Sequence, residues 1–349
     1  MSLKTKIWVL LWGLPLLTPS FALAQDLDVK EFIFEHLGDS YHWHITKWGQ
    51  NEISIPLLII VKSKQSGWHL FSSAHLEHGA YQGLHIASQG DYAGKIVERD
   101  LSGAEVRPVL DISLTKNAAA LMMSCVVLLI IILPLARWYK RGNMKPPKGF
   151  LGAVELLLTD IQEEVIKPCV GHDYRRFSPY LLTAFFFIFI NNLMGLIPFF
   201  PGGANVTGNI AVTFFLAICT FVAINAFGNN TYWKEIFWPE VPLGLKVPAP
   251  IMPVIEFFGI FTKPFALMVR LFANIMAGHS VMLGLFSLIF ITVSMGVAVN
   301  TGLSAVSILF TCFMTFVELL VAYIQAYVFT LLSALFIGMA RTKHEVHAH

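Results

Sequence analysis

Four charged side chains, Glu256, Lys263, Arg270 and Glu318, stand inside segments that are otherwise apolar enough to cross a bilayer, and only eight charges occur between Pro179 and Ala340. A charge at the centre of a membrane helix costs ~2.5–3.5 kcal/mol on insertion scales, and such groups mark ion or proton paths. Glu256, Lys263 and Arg270 are seven residues apart, and seven residues of helix return to within about 20° of the same face. They therefore form one polar stripe, which Asn274 joins four residues beyond Arg270. Ser304, Thr311, Glu318 and Gln325 repeat the same step in the next apolar segment. Plainer uses exist for several of them. Lys263, just before Pro264, can snorkel to an interface; Asn274 and Gln325 can join helices by hydrogen bonds; Glu256 can pair with Lys263. Arg270 differs, because the only other basic or acidic side chain between Pro264 and Val317 is His279. A partner supplied by another subunit explains it better.

The chain that positions these groups has 349 residues, 56% hydrophobic and 13% charged, with a net charge of +2. Soluble domains carry roughly 25% charged residues, so a soluble globular protein is excluded. No basic block exceeds a couple of residues, and nucleic acid is not an expected partner. The four cysteines (Cys125, Cys169, Cys219, Cys312) lie in or beside apolar stretches. They make neither a disulfide framework nor a CxxC metal pair.

Lys4 and Lys6, an apolar run from Ile7 to Leu17, and Ala22-Leu23-Ala24 before Gln25 read as a secretory signal, residues 1–24, cleaved after Ala24. Pro15 and Pro19 fall where a membrane helix would have to continue. Residues 25–115 regain charges, and segments such as Glu52–Val61 and Lys95–Val97 read as short strands, which predicts a small exported domain. Seven of the twelve histidines fall between His36 and His85, including His42-x-His44 and His75-x-x-His78. Their type suits a metal, but their spacing fits no closed site and no cysteine accompanies them. Surface histidines and no metal are the expectation.

Residues 116–349 are predicted as a membrane domain. Asn117–Ala136 is 20 residues without a charge, long enough to span. Arg137, Lys140, Arg141, Lys145 and Lys148 follow it, which places its C-terminal end in the cytoplasm. Residues 150–167 read as an amphipathic cytoplasmic helix with Phe150, Val154, Leu157, Leu158, Ile161 and Val165 on one stripe, ended by Pro168. Phe177 to Trp233 gives 57 uncharged residues, broken at Pro198 and Pro201-Gly202-Gly203 into two spans; the sequons at Asn205 and Asn229 read as turn residues. The last stretch, 251–340, breaks at Asn300-Thr301-Gly302. Helices over 251–298 and 303–340 would be about 72 and 57 Å long at ~1.5 Å per residue, against a hydrocarbon core of ~30 Å, so they must tilt or bend as a hairpin. The predicted fold is an all-α polytopic membrane protein with about five membrane helices, including that long tilted hairpin, plus the exported domain. Arg341-Thr342-Lys343 places the C-terminus in the cytoplasm and the N-terminus in the periplasm.

Glu256-x6-Lys263-Pro264-x5-Arg270-Leu271-Phe272-Ala273-Asn274-x3-Gly278-His279, followed by Glu318-x6-Gln325-Ala326, resembles subunit a of the rotary, proton-driven ATP synthase membrane sector. Asn191-Asn192-x2-Gly195-x-Ile197-Pro198 and Asn205-Val206-Thr207 carry the same resemblance, which covers about residues 110–340. Many bacterial relatives hold a carboxylate nine residues after the arginine and a histidine seven before the glutamine. Here the two are exchanged, as His279 and Glu318, in the manner of mitochondrial versions of the family.

The resemblance implies a non-catalytic stator subunit of a bacterial inner membrane, without cofactor or metal, that partners the c-ring, the peripheral stalk subunit b and the lipid bilayer. It implies an entry half-channel past His279, Glu318, Gln325 and Asn274, an exit half-channel past Glu256, and Arg270 between the two as the essential charge. The competing classes are a secondary transporter or ion channel, and a periplasmic metal-binding module on an anchor. No inverted repeat relates 117–230 to 251–340, which weighs against a transporter. The module would have no use for Arg270 or Glu318.

Overall fold

Between Ser40 and Thr115 the apolar runs are short and bounded by Gly, Asn and Ser, and regular structure there is mostly strand; from Lys116 onward it is all helix. The computed structural model describes residues 38–341 apart from 49–50, 65, 78, 88–89, 91, 100–103, 143–144, 198–201 and 239–250. The signal segment 1–24, His36, His78, the prolines at 198 and 201 and the tail 342–349 lie outside the described residues. Among the described residues the chain divides into two compact units, Ser280–Thr315 and the remainder.

In the larger unit the strands are β1 (His42–Trp48), β2 (Asn51–Pro56), β3 (Leu58–Ser63), β4 (Gly67–Ser72), β5 (Leu84–Ile86), β6 (Ile96–Arg99), β7 (Glu105–Val106) and β8 (Leu110–Asp111), with a one-turn helix α1 (Ala74–Glu77). They form three antiparallel sheets, β1-β2, β4-β3-β8 and β5-β6-β7. Tyr41, Ile59, Val61, Phe71, Leu76, Leu84 and Ile96 make their core. The Tyr41 hydroxyl donates to Asp111 Oδ2 at 2.7 Å; burial, and then that hydrogen bond, push the phenol well above its ordinary range. His69 sits between Ser66 and Gln82, His85 meets Glu105 at 2.9 Å, and His75 packs against Tyr81 with the two rings tilted by 42°. Among the described residues no three metal-type side chains converge.

The helices are α2 (Lys116–Lys140), α3 (Phe150–Asp160), α4 (Lys167–Val170), α5 (Tyr174–Leu196), α6 (Ile210–Ala226), α7 (Asn230–Phe237), α8 (Ile251–Ile291) and α9 (Val297–Arg341). Two of the starts show a clear local cause. Thr115 accepts from Ala118 N at 3.3 Å, Asp39 Oδ1 from Asn117 N at 3.0 Å and Ser40 O from Lys116 N at 2.8 Å, so the orphan donors of α2 are met. Asn209 caps α6 in the same way, accepting from Ala211 N at 3.0 Å. Four stretches, Lys116–Lys140, Phe150–Leu196, Met252–Met295 and Val297–Arg341, are long and apolar enough to cross a membrane, and α6 with α7, bent by 100°, makes a fifth if taken as one span. This agrees with the predicted polytopic helical fold. Large apolar side chains such as Leu129, Ile130, Phe215, Phe258, Phe316 and Leu320 face outward, as a lipid-exposed surface requires.

Two boundaries differ from expectation. The path from α3 does not stop at Pro168: a π-helical turn, Ile161–Ile166, leads into α4, where Pro168 occupies the first turn and needs no N–H bond. The chain turns instead at Gly171, whose φ of 72° suits glycine. The turn buries Val154, Ile161, Val165 and Ile166 among Leu181, Phe185, Ile188, Leu267, Leu271, Phe329 and Ile337, whereas Phe150 of the expected stripe is exposed. In the smaller unit the break between the long helices falls at Thr292–Gly296, not at Asn300–Gly302. Gly296 takes φ 98° and ψ 154°, a region open only to glycine. Asn300 is helical, and its Oδ1 accepts from Thr292 Oγ1 at 2.7 Å and from Ser304 Oγ at 3.3 Å.

The end of α9 is clamped. Arg341 binds Asp173 through Nε at 3.0 Å and the Phe227 carbonyl through Nη1 at 3.2 Å, and Asn229 Nδ2 donates to the Arg341 carbonyl at 2.6 Å. One turn earlier, a Cβ built on Gly338 would collide with the Cys169 carbonyl. Gly338→Ala is therefore expected to reduce the folded protein recovered from membranes, overpacking of this kind costing ~1–3 kcal/mol. Gly284→Ala, with nothing within 4 Å of the new methyl, should leave recovery unchanged; quantitative immunoblotting reads both.

Candidate functional site

The paired part of the site is built from two antiparallel helices, α8 and α9, that exchange polar groups through an apolar contact. Asn274 Nδ2 donates to Gln325 Oε1 at 2.8 Å. Five residues further along α8, His279 Nδ1 lies 2.5 Å from Glu318 Oε1, and the side chains are only 8% and 5% exposed. The two atoms are within contact distance without the alignment of a hydrogen bond, and both Glu318 oxygens are buried without one among the described residues. A buried carboxyl with open acceptor positions is costly in a purely structural role.

Glycines make room for this pair. A Cβ on Gly278 would stand 3.2 Å from Glu318 Oε1, and one on Gly195, near the end of α5, 3.3 Å from His279 Nε2. The end of α5 adds a polar network: Asn192 Nδ2 donates to the Ala322 carbonyl at 3.2 Å, one turn from Glu318, and Asn192 Oδ1 accepts from Thr207 Oγ1 at 2.7 Å. Asn205 and Thr207, expected to be turn residues, do lie at a turn, where Asn205 Oδ1 accepts from Gly208 N at 2.9 Å, and both are also buried. The clue in the sequence was a cluster of amide and hydroxyl side chains beside an uncharged span; their partners lie more than 100 residues away or across the turn, where spacing along one helix gives no guide.

Arg270 lies nine residues before His279 on α8 and its side chain is exposed. Its guanidinium makes no hydrogen bond or ion pair among the described residues, whereas Lys263, also on this helix, has its ammonium 5.7 Å from the centre of the Phe336 ring. The alternative of a Glu256–Lys263 ion pair is not realised among the described residues: the lysine lies against an aromatic ring of α9 instead. Glu256 is half-buried. The four groups of the stripe thus do not make one connected network. Asn274, His279, Glu318 and Gln325 are brought together in pairs; Arg270 and Glu256 stand apart along the helix. Of the remaining seam residues, Ser304 serves the turn and the Thr311 hydroxyl is buried without a hydrogen-bond partner among the described residues.

Comparison with known proteins identifies the family. The family model described as ATP synthase A chain matches residues 120–338, and a domain of unknown function (DUF8433) matches residues 32–117. The chain is 44% identical to ATP synthase subunit a of Chloroherpeton thalassium over 243 residues, 68% of this chain and 69% of that protein. It is 43% identical to ATP synthase subunit a 2 of Chlorobaculum tepidum, over 68% of this chain and 66% of the relative, and 43% identical to ATP synthase subunit a of Chlorobium phaeobacteroides, over 68% of each. With more than half of its length matched by the family model and its apolar helices carrying the buried pair, the chain belongs to the ATP synthase subunit a family.

Proposed function

We propose that this chain is the stator-side proton conductor of the synthase, passing protons between the outside and the carboxylates of a rotating c-ring and performing no covalent chemistry itself. The observation that carries the reading is the arrangement on α8: an exposed guanidinium without an ion pair among the described residues, nine residues from a buried His279–Glu318 pair. At ~1.5 Å per residue, Glu256 lies about 21 Å along the helix on one side of Arg270 and His279 about 14 Å on the other. Entry and exit groups are thereby separated by a fixed cation.

The chemistry follows from that order. A proton arriving from outside reaches His279 and Glu318, where Nδ1 and Oε1 are near enough to hand it over, and the Asn274–Gln325 pair leads on toward the lipid-facing side of α8. A ring carboxylate is protonated there and turns into the bilayer. On the other side a ring site releases its proton toward Glu256 and the cytoplasm. Arginine stays protonated in proteins, so Arg270 blocks a continuous proton wire while favouring an ionised ring carboxylate opposite it. A proton falling through the membrane potential yields about 2.3 kcal/mol per 100 mV, and the block makes rotation the route by which it crosses.

In this reading the chain is multi-pass in a bacterial inner membrane, its signal removed after Ala24, residues 25–115 in the periplasm, the C-terminus in the cytoplasm and peripheral stalk subunit b beside it. Reconstitution separates this from a transporter. Vesicles holding the purified chain alone should show no proton or ion flux above empty vesicles, and flux should appear when the ring and stalk are added. Sustained substrate-specific transport by the chain alone would instead identify a transporter.

A further inference from the structure

Trp43, on β1, is buried to 3% exposure, where it packs with Ala120, Ala204 and Val206 and its Nε1 donates to the Gly202 carbonyl at 3.2 Å. The strand-rich region thus reaches onto the segment 202–208, and that segment holds two contacts of the proton site. A Cβ on Gly195 would lie 3.3 Å from His279 Nε2 and 3.7 Å from the Ala204 carbonyl, so both groups border the small space beside Gly195. Thr207 bonds Asn192, which bonds the carbonyl of Ala322 one turn beyond Glu318. Gly203 N donates to the Met194 carbonyl at 3.3 Å, closing the segment onto the end of α5. The Trp43–Gly202, Thr207–Asn192 and Asn192–Ala322 links are hydrogen bonds, and among the described residues of 38–115 Trp43 is the one fully buried side chain in this packed group.

We infer that the region matching the domain of unknown function serves as a clip on the proton-entry site, with Trp43 a positioning residue that fixes 202–208 so that Asn192 and His279 hold their places. The inference rests on the proposed role of His279 and Glu318 as entry groups. An indole suits this role, because its ring fills the space against three small or branched side chains and its single N–H fixes the register of the segment through one carbonyl. Losing it frees the Gly202 end, and the Thr207–Asn192 bond then has to compete with water.

The test uses the whole synthase in inverted membrane vesicles, with subunit content measured for each variant. Trp43→Ala is expected to slow ATP-driven proton pumping roughly fivefold, the scale of one lost buried hydrogen bond, and to raise amide hydrogen exchange over 203–208. Trp43→Phe keeps an aromatic plug, secures assembly, and should lose less while still raising exchange at 203. Because Trp43 acts through the segment, Trp43→Ala combined with Thr207→Val should be no slower than the slower single variant. Unchanged pumping and exchange in both Trp43 variants would overturn the inference, and so would losses that multiply in the double variant. Arg270→Ala in the same vesicles keeps the two levels apart: if it pumps normally the entry-site reading fails, and if it is inactive while the Trp43 variants behave as wild type only the clip fails.

Discussion

Exchanging the buried pair, His279→Glu together with Glu318→His, is expected to recover proton pumping that either single substitution removes. Each single change sets two carboxyls or two imidazoles against each other where His279 Nδ1 and Glu318 Oε1 lie 2.5 Å apart. Breaking a buried pair by changing one partner costs ~3–5 kcal/mol when it leaves the other uncompensated. In the double variant one imidazole and one carboxyl face each other again. The family resemblance supplies the same expectation, since relatives carry the two groups in the opposite order. Coupling of contacting residues is typically ~0.5–3 kcal/mol, so the double variant should pump at least ~twofold faster than the worse single. Pumping by the double variant no better than the worse single would mean that the two groups do not act as a unit.

What could be read in advance was whatever depends on one helix or on cost in the bilayer. Charges cost most inside apolar runs, so Glu256, Arg270 and Glu318 stood out from composition alone, and helical spacing put Asn274, four residues on, with Arg270 and Gln325, seven residues on, with Glu318. The antiparallel meeting of those two helices then follows from a short link between them. Contacts that join distant parts of the chain were not readable in this way. Asn192 and Thr207 look like a helix end and a sequon until the Ala322 carbonyl is placed beside them. Lys263 looked like a partner for Glu256 because the two share a helix face, yet a ring on α9 lies nearer. At the hairpin the expected breaker Asn300 tolerates helix, whereas Gly296 is used for its positive φ. Trp43 carried no signal at all, because a tryptophan in a strand is ordinarily a core residue.

Arg270→Ala is expected to abolish ATP-driven pumping and ATP synthesis while leaving the synthase assembled. Its guanidinium has no ion pair or hydrogen bond among the described residues and is exposed on α8, so truncating it removes no internal support for the helix. Its partner is expected on the ring. Without the fixed cation, protons should leak passively through the membrane sector, since nothing then separates entry from exit. Arg270→Lys should fail in coupling as well: lysine keeps a charge, but as a strongly hydrated point donor that can lose its proton, without the planar fork that holds one carboxylate while releasing another. A purely structural ion-pair role predicts the opposite pattern, loss of the subunit from the membrane with residual complexes behaving normally. The most direct measurement is proton flux through vesicles containing Arg270→Ala synthase, with subunit content determined in the same preparation. Normal subunit content with no ATP-driven pumping is the result predicted here; normal pumping by a fully assembled Arg270→Ala complex would contradict the account.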